Sequence, residues 1–158
     1  MRSVFCIILT LGLLTLAAPV AAQSSGDLSS EGVRAVIDQL FDGMRAGDST
    51  MVRETFHPEA RLQSAFVRDG QPVLNTGSVD GFVEAVGTPH DEVWDEKIWD
   101  VEIAVDGHLA QAWMNYAFYL GETFSHCGVN AFHFFHDGSA WKITQITDTR
   151  RREGCEVE

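Results

Sequence analysis

Between Phe124 and Arg152 the chain reads FSHCGVNAFHFFHDGSAWKITQITDTRRR. Two strand-like stretches, Cys127 to His136 and Trp141 to Thr149, flank the pair Asp137-Gly138. An Asp-Gly step between apolar runs is a strong short-range hairpin signal. A chain that must form this hairpin needs a sheet beside it and something apolar above it, because two strands alone do not hold together in water. The same stretch concentrates groups able to do chemistry: His126, Cys127, Asn130, His133, Asp148 and the arginines Arg150, Arg151 and Arg152, with Cys155 just beyond.

The rest of the chain supplies the sheet and its cover. Val33, Val36, Ile37, Leu40, Phe41 and Met44 fall at helical spacing, with Ser29 or Ser30 able to cap the start and Gly47 the end. Asp48 opens a short second helix carrying Met51, Val52 and Phe56, stopped by His57-Pro58. From Ala60 the period becomes two, with Leu62, Ser64 and Phe66 on one face, then Asp69-Gly70 and a short strand over 72–75. Ser78 caps a third helix with Phe82, Val83 and Val86 on one side. Strands over 96–105 and 109–120, joined at Asp106-Gly107, precede the hairpin. Helix, helix, strand pair, helix and four strands describe an α+β domain with helices on one face of a mainly antiparallel sheet of about six strands.

The N-terminus reads differently. Arg2, an apolar run from Val4 to Ala18 and the small residues Val20-Ala21-Ala22 have the form of a secretory signal peptide, 1–22, too short for a membrane span. The expected organisation is therefore signal peptide 1–22, flexible leader 23–30 and one domain over 31–155. The expected location is secreted or periplasmic, with no stable membrane insertion after cleavage. Cleavage would remove Cys6 and leave Cys127 and Cys155 in an oxidising compartment, where an even count favours a disulfide. The alternative is a free, buried Cys127 and a frayed tail. A formal net charge of −12 argues against nucleic acid as a partner.

The order of elements, the segment SHCGVNAF and the following GSAWKITQITDTRR with its final Cys resemble the nuclear transport factor 2-like superfamily. Ketosteroid isomerase, scytalone dehydratase and polyketide cyclases are among its members, and this chain is most similar to exported bacterial lumazine-binding or nuclear transport factor 2 family proteins. The resemblance covers roughly 31–155. It implies a cystatin-like cone, in which three helices of the N-terminal half pack on a strongly bent sheet, enclose a small-ligand pocket and leave an outer face for a homodimer.

A cone used for enolisation or dehydration needs a general base near neutrality and donors aimed at a developing oxyanion. His126 and Asp148 are the candidate catalytic residues. Trp113, Tyr116, His126, Asn130 and His133 are the candidate ligand-binding residues. Asp148 has a competing role as a turn cap or a partner for Arg150 or Arg151. Strand parity also counts against it: if Trp141 and Ile143 face inward, Asp148 faces outward unless a bulge intervenes. On the hairpin, Asn130, Phe132, Phe134 and His136 share one face and Val129, Ala131, His133 and Phe135 the other. His57, Gln63 and Trp99 are weaker candidates. His133 and His136 fall on opposite strand faces, and His126 with Cys127 and Cys155 does not match zinc spacing, so no metal is expected. No phosphate loop, dinucleotide fingerprint or Gly-x-Ser-x-Gly elbow is present, and no cofactor is expected. The leading expectation is an exported domain that binds a small apolar or aromatic molecule. The rivals are a metal-independent isomerase, cyclase or dehydratase, and a structural dimerisation module.

Overall fold

A computed structural model describes residues 27–155. The expected signal peptide and residues 23–26 of the expected leader lie outside the described residues. Helix α1 (Ser30–Ala46) starts where the Ser29 hydroxyl accepts from the Gly32 amide, and ends at Gly47, whose φ of 65° is left-handed. Its apolar stripe buries Val33, Ile37, Leu40, Phe41 and Met44. Helix α2 (Ser49–Thr55) is capped by Asp48 and α3 (Val79–Gly87) by Ser78. The end of the expected leader is not loose: the Trp141 indole donates to the Asp27 carbonyl at 2.7 Å. That contact and the Ser29 cap fasten the described end of the expected leader to β6 and α1.

The strands are β1 (Phe56–Arg68), β2 (Gln71–Gly77), β3 (Trp94–Asp106), β4 (Leu109–Leu120), β5 (Thr123–His136) and β6 (Trp141–Thr149). They form one open, mixed sheet in the order β2-β1-β6-β5-β4-β3, antiparallel throughout except where β1 lies parallel to β6. The three helices pack against one face, with Phe41 beside Phe132 and Phe56 edge-on to Phe82. Each such buried aromatic contributes on the order of 1.5–3 kcal/mol from water removal alone.

Register irregularities in β3, β5, β6 and β1 decide which side chains reach that inner face, the β3 one lying between Trp99 and Glu102. In β5, Ser125 is an extra residue between the pairs Phe118–His126 and Tyr119–Phe124. In β6, Thr144 is extra between the pairs His133–Gln145 and Phe134–Ile143. A bulge shifts strand phase by one residue. Trp141 and Ile143 therefore point into the core, and so, beyond Thr144, do Ile146 and Asp148. This corrects the parity argument that turned Asp148 outward. In β1, the register jumps between Phe56 and Arg61 across Pro58, which has no amide to donate.

The end of β6 is held unusually close to β5. An added Cβ on Gly128 would sit 1.8 Å from the Thr149 carbonyl oxygen, so only glycine fits there. The gap lets Cys127 and Arg151 exchange backbone hydrogen bonds of 2.9 and 3.0 Å, and Cys127 and Cys155 lie at disulfide distance, Sγ to Sγ 2.00 Å. With the cysteines 28 positions apart, the chain-entropy account gives the crosslink about 3.5 kcal/mol. Reducing the oxidised protein should therefore lower its unfolding free energy by an amount near that figure, read by urea titration with and without dithiothreitol. An unchanged midpoint would show that the tail contributes nothing to the fold.

Candidate functional site

Sheet register assembles a polar row on the inner face. Met114, Asn130, Asp148, Ser64 and Asn75 are successive cross-strand partners on β4, β5, β6, β1 and β2. A second row runs Glu96, Phe118, His126. Between this face and the helices lies a cavity of about 270 Å³. Leu40, Phe41 and Met44 of α1, Phe82 of α3, and Leu62, Phe132 and Ile146 of the sheet make it apolar on one side. Ser64, Glu96, Tyr116, His126, Asn130, Asp148 and Arg150 make it polar on the other. The volume sits near the lower end of what small-molecule sites use, which suits a compact ligand.

Asp148 is the centre of the polar side and is only 7% exposed. Its Oδ1 accepts from the Ser64 hydroxyl, and its Oδ2 accepts from the Arg150 Nε at 2.6 Å. The Tyr116 hydroxyl lies 3.0 Å from Oδ2 and 2.9 Å from the Thr149 carbonyl. Burial, then the negative charges of Asp148 and Glu96, hold the Tyr116 phenol well above its usual range, so it is a neutral donor. A carboxylate removed from water needs such partners, since an unpaired buried charge is strongly destabilising.

Glu96 has the opposite setting. Loss of hydration pushes its carboxyl up to about 7, and the nearby charge of Asp148 adds to this, against the single hydrogen bond donated by Asn130 Nδ2 at 2.7 Å. His126 packs against Tyr116 and Phe118, with Nδ1 3.0 Å from the Ser125 hydroxyl. Burial first, and then the positive charge of Arg150, push its imidazole down to about 4. Near neutral pH the cavity thus presents a neutral imidazole, a neutral phenol whose proton is taken up within the protein, and a carboxyl poised to gain or lose its proton.

Of the residues singled out from sequence, Tyr116, His126, Asn130 and Asp148 meet in this cavity, and Gln63 borders it. Trp113 and His133 do not. They flank a separate groove on the other face of the sheet with Glu102 and Gln111, because both alternate out of phase with Met114 and Asn130. Trp113 is 55% exposed. Their assignment to the pocket is corrected on that geometry. His57 packs edge-on to Phe135, and Trp99 borders a separate cleft with Asn115 and Arg151. Asp148 pairs with Arg150, as its competing role anticipated. Glu96 and Ser64 were not singled out from sequence. Their signal was positional: Ser64 shares the face of Leu62, and Glu96 that of Trp94 and Ile98. Among the described residues no group of three His, Cys, Asp or Glu side chains converges to hold a metal, and no helix is long and apolar enough to cross a membrane.

Comparisons with known proteins agree with this architecture. A family model described as "Putative lumazine-binding" matches residues 29–145. No curated protein sequence matches the chain. Among solved structures, a beta subunit of a putative aromatic-ring-hydroxylating dioxygenase from Novosphingobium aromaticivorans superposes with a TM-score of 0.63 at 14% identity, over 77% of this chain and 88% of that one. A nuclear transport factor 2-like protein with a cystatin-like fold from the same organism gives 0.60 at 14%, over 80% and 83%. A protein of unknown function from Mycobacterium tuberculosis gives 0.61 at 14%, over 80% and 78%. At these identities the likeness is one of fold.

The two shifted groups have opposite effects on stability. Glu96 binds its proton more tightly folded than unfolded, so its contribution falls as pH rises from about 4.5 through 7. His126 binds its proton less tightly when folded, so its contribution falls as pH drops from 6.5 towards 4. The slopes oppose each other in the acid range and leave Glu96 dominant above pH 6.5. Raising the pH from 6.5 to 8 should cost about 1 kcal/mol through Glu96, and Glu96→Gln should remove that slope. Thermal melts of both proteins at each pH read it directly. Parallel slopes in the two would place the Glu96 proton elsewhere.

Proposed function

Since the chain belongs to the "Putative lumazine-binding" family, within the nuclear transport factor 2-like superfamily, we propose that it is an exported domain that binds a compact molecule with an apolar body and a polar head. The observation that carries this is the two-sided cavity, apolar under α1 and α3 and polar along Asn130, Asp148 and Ser64. The apolar side supplies the driving force by removing ligand surface from water, and the few directed polar groups set orientation. Tyr116 spends its one proton on Asp148 and the Thr149 carbonyl, while His126 keeps its Nε2 free of described partners. A screen of single-ring compounds by thermal shift tests it. At least one class should raise the melting temperature, and Phe132→Ala, which enlarges the apolar side, should alter the ranking. A flat response across a broad panel would sink the proposal.

A second reading, an isomerase or dehydratase working without metal, is favoured by one observation. Asp148 is already engaged by Ser64, Tyr116 and Arg150, whereas Glu96 has a single donor and a carboxyl near neutrality. Glu96 rather than Asp148 or His126 is then the general base. Under that reading Glu96→Gln abolishes turnover while ligand-induced stabilisation survives. Loss of both together would mean that Glu96 only binds.

Export and dimerisation belong to the same proposal. The N-terminal pattern and the cysteine pair support export. Leu109, Trp113 and Phe135, exposed together on the outer face, support pairing of two copies there. Protein recovered from a periplasmic expression should begin near Gln23, show no free thiol and scatter light as a dimer, with Trp113→Glu shifting it to monomer. A monomeric wild type would refute the pairing, and a retained Met1 would refute the cleavage.

A further inference from the structure

Resting on that ligand-binding reading, we propose that the ligand is an organic acid, and that its carboxylate is received at the mouth of the cavity by the guanidinium of Arg150. Arg150 lines the cavity while 53% of its side chain remains exposed, so it stands between the interior and solvent. Only its Nε is engaged, by Asp148. The two Nη groups donate to no described residue. A guanidinium is a rigid fork whose outer edge matches a carboxylate with two parallel hydrogen bonds.

What distinguishes this arginine from an ordinary surface cation is how firmly it is placed. Its amide donates to the Ala65 carbonyl on β1, and the next residue, Arg151, is paired by backbone to Cys127 on β5. The disulfide ties the following tail to the same point, and Gly128 provides the space for the chain to pass. Asp148, which orients the fork, is itself fixed by Ser64 and by Tyr116. A donor fixed before binding loses little freedom on binding, which favours affinity. The surroundings are also selective. In a chain of net charge −12, the run Arg150-Arg151-Arg152 is the one place where three cations are consecutive, and the charge of Arg152 reaches His126 inside the mouth.

If Arg150 served only to neutralise Asp148, acids would bind no better than their neutral isosteres. The polar side would otherwise be unfavourable to an anion, because Glu96 and Asp148 both face it. Glu96 sets a pH dependence. The charged and titratable groups around it are Asp95 on its own strand, Tyr116 on β4, and Asp148 and Arg150 at the end of β6, with Asn130 of β5 as its hydrogen-bond donor. Arg45 of α1 is drawn to Asp95 and does not cancel Glu96. While Glu96 is protonated the cavity carries one anion and one cation. Once it ionises, an incoming carboxylate meets an extra negative charge. Acid binding should therefore weaken as pH rises from 6 to 8, and neutral ligands should show no such trend.

The experiment is calorimetric titration of the oxidised wild-type protein at pH 6.5 with phenylacetate, phenylacetamide and 2-phenylethanol, and with hexanoate against hexanamide. The acids should bind at least tenfold more tightly than their amides, and the preference should shrink at pH 8. Arg150→Gln should abolish the preference and Arg150→Lys should keep part of it. Since Arg150→Gln also strips Asp148 of its partner, the ratio in the wild type is the decisive reading and needs no variant. Equal binding of acids and amides would overturn the anion assignment while leaving the pocket reading intact. Binding of neither class would remove both.

Discussion

Asp148 is a carboxylate taken out of water, and much of the local design follows from the need to replace that water. Isolated, such a group would cost several kcal/mol. Here Ser64 from β1, Tyr116 from β4 and Arg150 beyond β6 supply the missing hydrogen bonds. Those partners come from elements far apart in sequence, so the carboxylate also acts as a registration point. If β6 slips by one residue, Asp148 turns to the outer face and all three partners are stranded. The parallel pairing of β1 with β6 and the antiparallel pairing of β6 with β5 are thereby coupled at one side chain.

The placement of Asp148 rests on Thr144. Without an extra residue there, Trp141 and Ile143 could not share the inner face with Ile146 and Asp148. Its hydroxyl bonds to the His133 carbonyl at 3.1 Å, tying the bulged residue to the neighbouring strand. Bulges are local distortions with a long reach, since they reassign every side chain beyond them. Ser125 on β5 is a second case: its hydroxyl pairs with His126 Nδ1, and the imidazole packs against Tyr116 and Phe118.

This explains what could be read from sequence. Regular periodicity reports regular structure, so the stripe of α1, the caps at Asp48 and Ser78, and the hairpin strands were all legible. That Asn130, Phe132 and Phe134 share one face of β5 followed from simple alternation, though not that this face is the inner one. Asp148 did not, because nothing in WKITQITDT marks Thr144 as the surplus residue. Trp113 and His133 show the complementary failure. Their residue types suit a binding pocket, but their phase places them outside, and sequence did not say which face of the sheet the helices cover. Glu96 was hidden for a third reason. In WDEKIWD it is one acid among several, and its distinction is environmental: Asn130 lies 34 residues away in the chain yet donates to it directly.

The two sides of the cavity set each other's properties. Helices α1 and α3 cover the sheet with Leu40, Phe41, Met44 and Phe82, and it is this apolar cover that lowers the local polarisability around Glu96 and His126. In such surroundings each group is pushed towards its uncharged form, the acid holding its proton up to about pH 7 and the base losing its own well below neutrality. Asp148 and Arg150 escape that tendency as a pair, each supplying the countercharge the other needs. The resulting site contains one fixed ion pair, one switchable carboxyl and a neutral imidazole under an apolar roof. That combination discriminates among ligands by charge as well as by shape, because removing water strengthens whatever electrostatic contact the ligand makes or fails to make.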